Sequence, residues 1–216
     1  MTIVGEQQAT DQRSRRVALA IAQLCPDALF CTFFPTNDGR KIPYNKRGQG
    51  VAAETPTENL YTADEVKTAS IPAGHLWGVV MHHPTRDPFG GLLTVLDVDM
   101  KRSDAPTDVR IQRLGKWAKE HNHLTERSHS GKGRHVILLA EDEPQLLASY
   151  RLGNQQEIEV FGQQSSAGKS VMLTGDEMSQ PHIGDQSVKL TEVLEQLGIE
   201  DVQEPVDKRA QFLTPI

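Results

Sequence analysis

Apolar and polar positions recur with two different periods along this 216-residue chain, and the changes of period mark its elements. Val17, Ile21 and Leu24 are spaced for one helical face, so Gln12 to Leu24 reads as an amphipathic helix behind a loose tail over residues 1–9. Leu29 to Phe34 reads as a strand. Asn37-Asp38-Gly39 is then the turn that returns the chain through Lys41-Ile42-Pro43-Tyr44. A short helix over Ala63–Ala69 and a strand over Leu76–Met81 follow. Leu92-Leu93-Thr94-Val95-Leu96 is an apolar, partly β-branched run and predicts a buried strand. The period lengthens again over Thr107–Glu120, a helix with Val109, Ile111, Leu114, Trp117 and Ala118 inward. Strands are expected at His123–Arg127, Arg134–Leu139, Gln156–Phe161 and Lys169–Leu173, and a last helix over Val188–Leu197 stops at Gly198. Strands and helices interleave without strict alternation, which predicts an α+β fold rather than a doubly wound sheet.

Composition sets bounds on this picture. The length fits one domain with a real core, here residues 10–204, followed by a linker or tail over 205–216. No apolar stretch approaches the ~20 residues of a membrane helix, and the polar N-terminus lacks a signal-peptide pattern. The expectation is a cytoplasmic protein with no membrane partner. Cys25 and Cys31 flank an apolar run and read as reduced core residues. The net charge of −6 counts at first against nucleic acid. From Asp176 onward, however, there are nine acids and three bases; removing them from the 29 acids and 23 bases leaves twenty of each in residues 1–175. Within that neutral body, bases cluster at Arg40, Lys41, Lys46 and Arg47 and again from Arg110 to Arg134, patches able to hold phosphate or simply to face water.

Candidate chemistry begins at Asp97-Val98-Asp99, the end of the Leu92 strand. Alternation puts both carboxylates on one face, roughly 6–7 Å apart. Both ionised, they repel by about 3 kcal/mol at an effective dielectric near 20, and a hard divalent cation such as Mg²⁺ relieves that. The competing reading is a strand end entering a polar loop, aided by Lys101 and Arg102. Ser128-His129-Ser130-Gly131-Lys132-Gly133-Arg134-His135 lies between two expected strands. Its hydroxyls, cations and backbone N–H groups suit a triphosphate, while a glycine-rich hairpin with a histidine at its base explains it equally well. Glu157-Ile158-Glu159-Val160-Phe161 has two carboxylates on one face; a third ligand beside Asp97 and Asp99, or an acidic edge facing water, would look the same.

Gly162 to Ser170 imitates a P-loop, but it has five residues before Gly168-Lys169-Ser170 where that motif has four, and a strand-like segment follows. His82-His83 and His121-Asn122-His123 lack helical ligand spacing and read as surface or loop histidines.

Taken in order, Leu96-Asp97-Val98-Asp99, Ser128-x-Ser130-Gly131-x-Gly133-x-His135 and Ile158-Glu159-Val160-Phe161 resemble the three motifs of the archaeo-eukaryotic primase superfamily. The closest likeness is to the bifunctional primase/polymerase (prim-pol) domains of phages and plasmids. Gly39-Arg40-Lys41-Ile42-Pro43-Tyr44-Asn45 is similar to that family's early K-x-P-Y element, and Leu76-Trp77-Gly78-Val79-Val80 sits where it has a glycine-containing strand. Lys169 to Thr174-Gly175 has the spacing of its closing R-x-x-T-x-T-G, with Lys169 in place of Arg and Met172 in place of the first Thr. His129 stands at a position often filled by proline. The likeness spans Leu29 to Gly175.

The resemblance implies an RRM-like sheet packed with an α/β unit and an active-site cleft between them. It implies a DNA primase or polymerase of a phage or plasmid replication system, in which Asp97, Asp99 and Glu159 hold two Mg²⁺ or Mn²⁺ ions, with Glu157 the other choice for third ligand. Ser130, Lys132, Arg134, His135 and Lys169 would bind the dNTP or NTP. Arg40, Lys41, Lys46, Arg47, Arg113 and Lys116 would follow a single-stranded DNA template, and a replicative helicase, as domain or separate protein, is an implied partner. A replication module that binds nucleic acid without synthesis, or a metal-dependent nuclease, is the alternative.

Overall fold

A computed structural model describes residues 3–36, 40–100, 107–141, 149–152, 156–162, 169–180, 183–184 and 186–199. The expected turn at Asn37-Asp38-Gly39, the pair Lys101 and Arg102, the loop Gln163–Gly168 and the linker or tail over 205–216 lie outside the described residues.

The chain opens with α1 (Ile3–Leu24), β1 (Leu29–Pro35), β2 (Lys41–Tyr44), β3 (Tyr61–Thr62), α2 (Ala63–Thr68) and β4 (Leu76–Val80). It continues with β5 (Leu92–Met100), α3 (Val109–Glu120), β6 (Leu124–Arg127), β7 (Arg134–Ala140), β8 (Ser149–Arg151) and β9 (Gln156–Phe161). It closes with β10 (Ser170–Met172), β11 (Ser187–Val188) and α4 (Leu190–Gln196). The class is α+β, as the interleaving predicts. Helix α1 starts at Ile3, so the loose tail expected over residues 1–9 is helical from that point. Apolar periodicity reports which turns are buried, and residues before Gln12 carry no stop signal such as proline. Val188, expected to begin the last helix, instead pairs with β7, and α4 starts two residues later. Strands of two or three residues, such as β3, β8 and β11, are too short to produce a visible period.

One sheet has the order β10-β4-β1-β2, with β3 also on β1; the other has the order β11-β7-β5-β9-β8, with β6 also on β7. All pairs are antiparallel except β11 with β7. Residues directly opposite one another share a face, so the register divides the second sheet cleanly. Leu96, Val98, Val136, Leu138, Ile158 and Val160 face α3 and α4, where Ile111, Leu114, Ala118, Val193 and Leu194 cover them. Leu93, Val95, Ile137, Leu139 and Phe161 face the other way, against Val17, Ala18 and Ile21 of α1 and Phe30, Trp77 and Val79 of the first sheet. This shared core binds the two sheets into one body. Cys25 and Cys31 are buried and unpaired, and burial pushes both thiols up to about 12. Among the described residues no helix is long and apolar enough to cross a membrane.

Polar side chains pin these layers. Ser14, fully buried on α1, donates to the Asp11 carbonyl (3.0 Å) and accepts from the Trp77 N–H of β4 (3.2 Å). Arg15 donates to the Val66 and Ala69 carbonyls at the C-terminal end of α2 (3.0 and 2.7 Å) and lies over the Trp77 ring. The α2 start is a capping box between Thr62 and Glu65. Gly78 in β4 lies flush under Phe33, and a Cβ there would enter the phenyl ring. Gly78→Ala is therefore expected to destabilise the fold by about 1–3 kcal/mol. The check is a lower urea midpoint at unchanged m-value; an unchanged midpoint would show that Phe33 moves aside freely.

Candidate active site

The first sheet's α1-side packing ends where the second sheet's apolar face ends, and the remainder of that face is ionisable. The register explains why. Asp97 on β5 lies opposite His135 on β7 and opposite Glu159 on β9. Glu126 on β6 lies opposite His135, and Ser149 on β8 lies opposite Glu159. Glu126, His135, Asp97, Glu159 and Ser149 thus form one row across five strands, their side chains on one face. In the next row Asp99 lies opposite Glu157, which lies opposite Arg151. Residues from all three sequence motifs are brought together, and both Glu157 and Glu159 face the same way as the aspartates.

His135 is the best-anchored of these side chains. Its side chain is 2% exposed, and its Nδ1 lies 2.7 Å from Glu126 Oε1 and its Nε2 3.6 Å from Asp97 Oδ1. Glu126 is fully buried, and its other oxygen accepts from the Gly175 N–H (2.7 Å) and the Thr174 N–H (3.1 Å), with the Thr174 hydroxyl at 3.4 Å. A carboxylate only accepts, so the proton of the 2.7 Å bond is on His135 Nδ1. Burial pushes the imidazole pKa down, but the hydrogen bond and charge of Glu126 and the charge of Asp97 outweigh it, against some opposition from Lys41, and the net shift is upward. Lys41 also depresses His129, behind the larger effect of burial and against Asp176.

At the other end of the row Lys169 Nζ lies 3.4 Å from Glu159 Oε1 and 4.8 Å from the Phe161 ring centre. His82, just after β4, has its Nδ1 at 3.4 Å from the Lys169 carbonyl. Among the described residues no three His, Cys, Asp or Glu side chains are gathered into a group that could hold a metal ion. The four carboxylates share a face at strand spacing, and Lys169 is the cation beside Glu159.

The loop between β6 and β7 has a different internal logic from the one expected. Gly131 has φ +70° and makes the turn, while a Cβ on Gly133 would strike the Val98 carbonyl of β5. The close approach that Gly133 permits is thus to the neighbouring strand rather than to a ligand. Ser128 Oγ accepts from the Gly133 N–H (3.1 Å) and contacts Ser130 Oγ (3.1 Å), and Ser130 Oγ accepts from the Lys132 N–H (3.3 Å). Ser130 and Lys132 are exposed at the hairpin tip.

Several expected residues are placed elsewhere. Arg134 lies opposite Val98 and so faces away from His135; it joins Arg127 on the Glu177 carboxylate, at 3.1 and 3.0 Å. Alternation along β7 is the reason, since adjacent strand residues cannot share a face. Arg113 and Lys116 belong to α3, the cover of the opposite face, where Lys116 lies 3.7 Å from Glu120. A cavity of about 330 Å³ opens on that side, between α3 and Val98, Val136 and Arg134. Lys46 is engaged by Glu65 (3.0 Å), while Arg40 and Arg47 are exposed near β2. His123, read as a surface or loop residue, is buried against Trp117, and burial pushes its imidazole down to about 4. It follows directly on the α3 terminus, where the chain turns inward to enter β6. Gly162, the first glycine of the P-loop imitation, has φ +119° against the Leu93 carbonyl, and Ser170 begins a strand, not a helix.

Sequence reasoning missed Glu126, although a signal for it existed. Leu124 and Glu126 share the inner face of an expected strand, and a carboxylate at an inward position requires a partner. Compared with known proteins, the chain matches no family model, and no curated protein matches it.

The raised His135 pKa carries a sign. Its stabilisation is full below the unfolded value of about 6.5 and is lost as pH rises through the higher folded value. Denaturant unfolding between pH 6 and pH 9 should show this loss in the wild type and a flatter profile in His135→Asn. Parallel profiles would contradict the assigned coupling to Glu126 and Asp97.

Proposed function

We propose that this chain is a template-directed nucleotidyltransferase, a primase or polymerase that joins nucleoside triphosphates to a 3′-hydroxyl. The observation that carries this reading is the single row Glu126–His135–Asp97–Glu159, which joins one residue from each of the three motifs on one face of the second sheet. The central position of β5 between β7 and β9 supports an RRM-like sheet as its scaffold, and the adjoining first sheet supplies the facing wall of the cleft.

The carboxylate oxygens of this face are of the kind that hard divalent cations take, although they stand at strand spacing and, among the described residues, are not gathered into a ligand group. Four carboxylates lie on two neighbouring strands, with Lys169 beside Glu159 and Arg151 opposite Glu157. Asp97, Asp99 and Glu159, with Glu157 adjoining, would hold Mg²⁺ or Mn²⁺. Bound there, such ions would make the attacking hydroxyl more acidic and offset the charge of the triphosphate. His135, fixed at a rigid strand position, would present Nε2 to a phosphate oxygen. Lys169 would exchange Glu159 for the triphosphate, and Ser130 and Lys132 would meet it from the hairpin tip. Lys41, whose charge reaches His135, leads the β2 bases that would follow the template. Phosphoryl transfer asks for this kind of placement and charge neutralisation more than for covalent chemistry. Arg134, Arg113 and Lys116 have no part in it, because they lie on the other side of the sheet.

Incubation with a single-stranded template, labelled dNTPs or NTPs and Mn²⁺ tests this reading. Elongated product supports it; shortened template would indicate a nuclease, and a mobility shift without product a binding module. Asp97→Asn and Glu159→Gln should each lower incorporation by about a thousandfold, the several kcal/mol expected of a lost metal ligand. Arg134→Ala should stay within about twofold, since its exposed ion pair contributes little. An Arg134→Ala loss as deep as that of Asp97→Asn would contradict the assignment of faces.

A further inference from the structure

The cavity of about 330 Å³ on the α3 side of the second sheet has a size at the small end of the range for small-molecule pockets. Its floor is Val98 and Val136 of the sheet and Ile111 and Leu114 of α3, all buried. Val98 stands between Asp97 and Asp99, and Val136 follows His135, so alternation keeps anything held here off the carboxylate face. Two features of the lining have no packing explanation. Ile111, Gly115 and Lys119 are spaced four residues apart on α3 and form one stripe along the cavity, and its middle position has no side chain. Glycine inside a helix costs about 1 kcal/mol relative to alanine, yet a Cβ on Gly115 would meet nothing within 4 Å, so crowding does not require it. Thr125 on β6 lies opposite Val136 and so faces the same cavity. It is 7% exposed, and its hydroxyl has no hydrogen-bond partner among the described residues. A buried hydroxyl without a partner is unfavourable.

The rim of the cavity is cationic. Arg127 and Arg134 share the one carboxylate of Glu177, and the Lys119 side chain has no ion-pair partner among the described residues. Three cations therefore stand against one acid. Glu177 has φ +47°, a left-handed conformation unfavourable for a side-chain-bearing residue. Its segment is clamped to β6 by the Ser179 N–H on the Thr125 carbonyl and the Thr125 N–H on Ser179 Oγ, both 2.9 Å. We propose that this cavity is a second binding site, separate from the carboxylate row, for a compact apolar molecule carrying one carboxylate. Its apolar body covers Val98, Ile111, Leu114 and Val136 in the space that Gly115 leaves open. Its carboxylate accepts from the Thr125 hydroxyl and pairs with Lys119. An excess of two positive charges suits a single carboxylate. A triphosphate carries more charge than these groups offset and would leave the apolar floor uncovered. The site stands whether or not the chain transfers nucleotides.

Titration of the ¹⁵N-labelled full chain with 2-naphthoate, and separately with its neutral counterpart 2-naphthamide, tests the proposal. The acid should move the Gly115, Thr125 and Val136 amide signals saturably, and the amide should bind about tenfold more weakly, as expected for one lost charge-assisted contact. Lys119→Gln, a change at an exposed position, should weaken the acid by about the same factor and leave the amide unaltered. Thr125→Val, which keeps the shape and removes the hydroxyl, should weaken the acid several-fold. Gly115→Leu should abolish binding of both compounds while raising the thermal midpoint, because leucine is the better helix former and occupies the opening. Absence of saturable movement with the acid, or movement centred on Asp97, Asp99 and Glu159, overturns the proposal. Equal affinity for acid and amide overturns the carboxylate assignment, and undiminished binding to a folded Gly115→Leu variant overturns the location. The Lys119→Gln comparison decides even if Gly115→Leu does not fold.

Discussion

Much of this fold is organised around one buried charge. The Glu126 carboxylate is withdrawn from water and would be strongly destabilising without partners. Its acceptor sites are filled from β7 by His135 and from the segment after β10 by Thr174 and Gly175. The β6–β7 hairpin and a turn almost fifty residues further on must converge for that to happen, and the convergence also presses Gly175 against α1. The second sheet, the closing turn and the first helix are thereby tied at one point. Removing one partner would leave an unmatched charge in the interior, so the constraint is mutual.

From that anchor the rest of the candidate site follows by alternation. The face of the second sheet that carries His135 is apolar at one end, where Leu93, Val95, Ile137 and Phe161 meet α1 and the first sheet. Two or four residues further along the same strands it becomes Asp97, Asp99, Glu157 and Glu159. The shared core thus orients the strands that carry the carboxylates, and the packing of α1 fixes where the apolar part of that face ends. The opposite face is closed by α3 and α4, which separates the Arg134 and α3 cations from the chemistry.

Part of this was legible in the sequence. The apolar run before Asp97, the alternation over Gln156–Phe161 and the histidine at the base of a tight hairpin are local patterns, and their strands form as expected. Register is not local: that Asp97 falls opposite both His135 and Glu159 depends on hairpin geometry and on the Gly133 approach to β5. Arg134 begins its strand where one is expected, but the period of two that turns His135 toward Asp97 sends its chain neighbour to the far face. Glu126 was passed over because an acidic residue in a short strand looks like an edge. Its meaning depends on Thr174 and Gly175, almost fifty residues away. The short strands β3, β8 and β11 left no period to read.

The central claim is that the row through Asp97 is a cation and triphosphate site, and paramagnetic broadening by Mn²⁺ tests it most directly. Titrating the labelled protein with Mn²⁺ and a non-hydrolysable dNTP should broaden first and most strongly the signals of Asp97, Asp99, Glu159 and His135, and least those on the outer face of α3. Broadening centred on α3, or none at these four residues, would contradict the account.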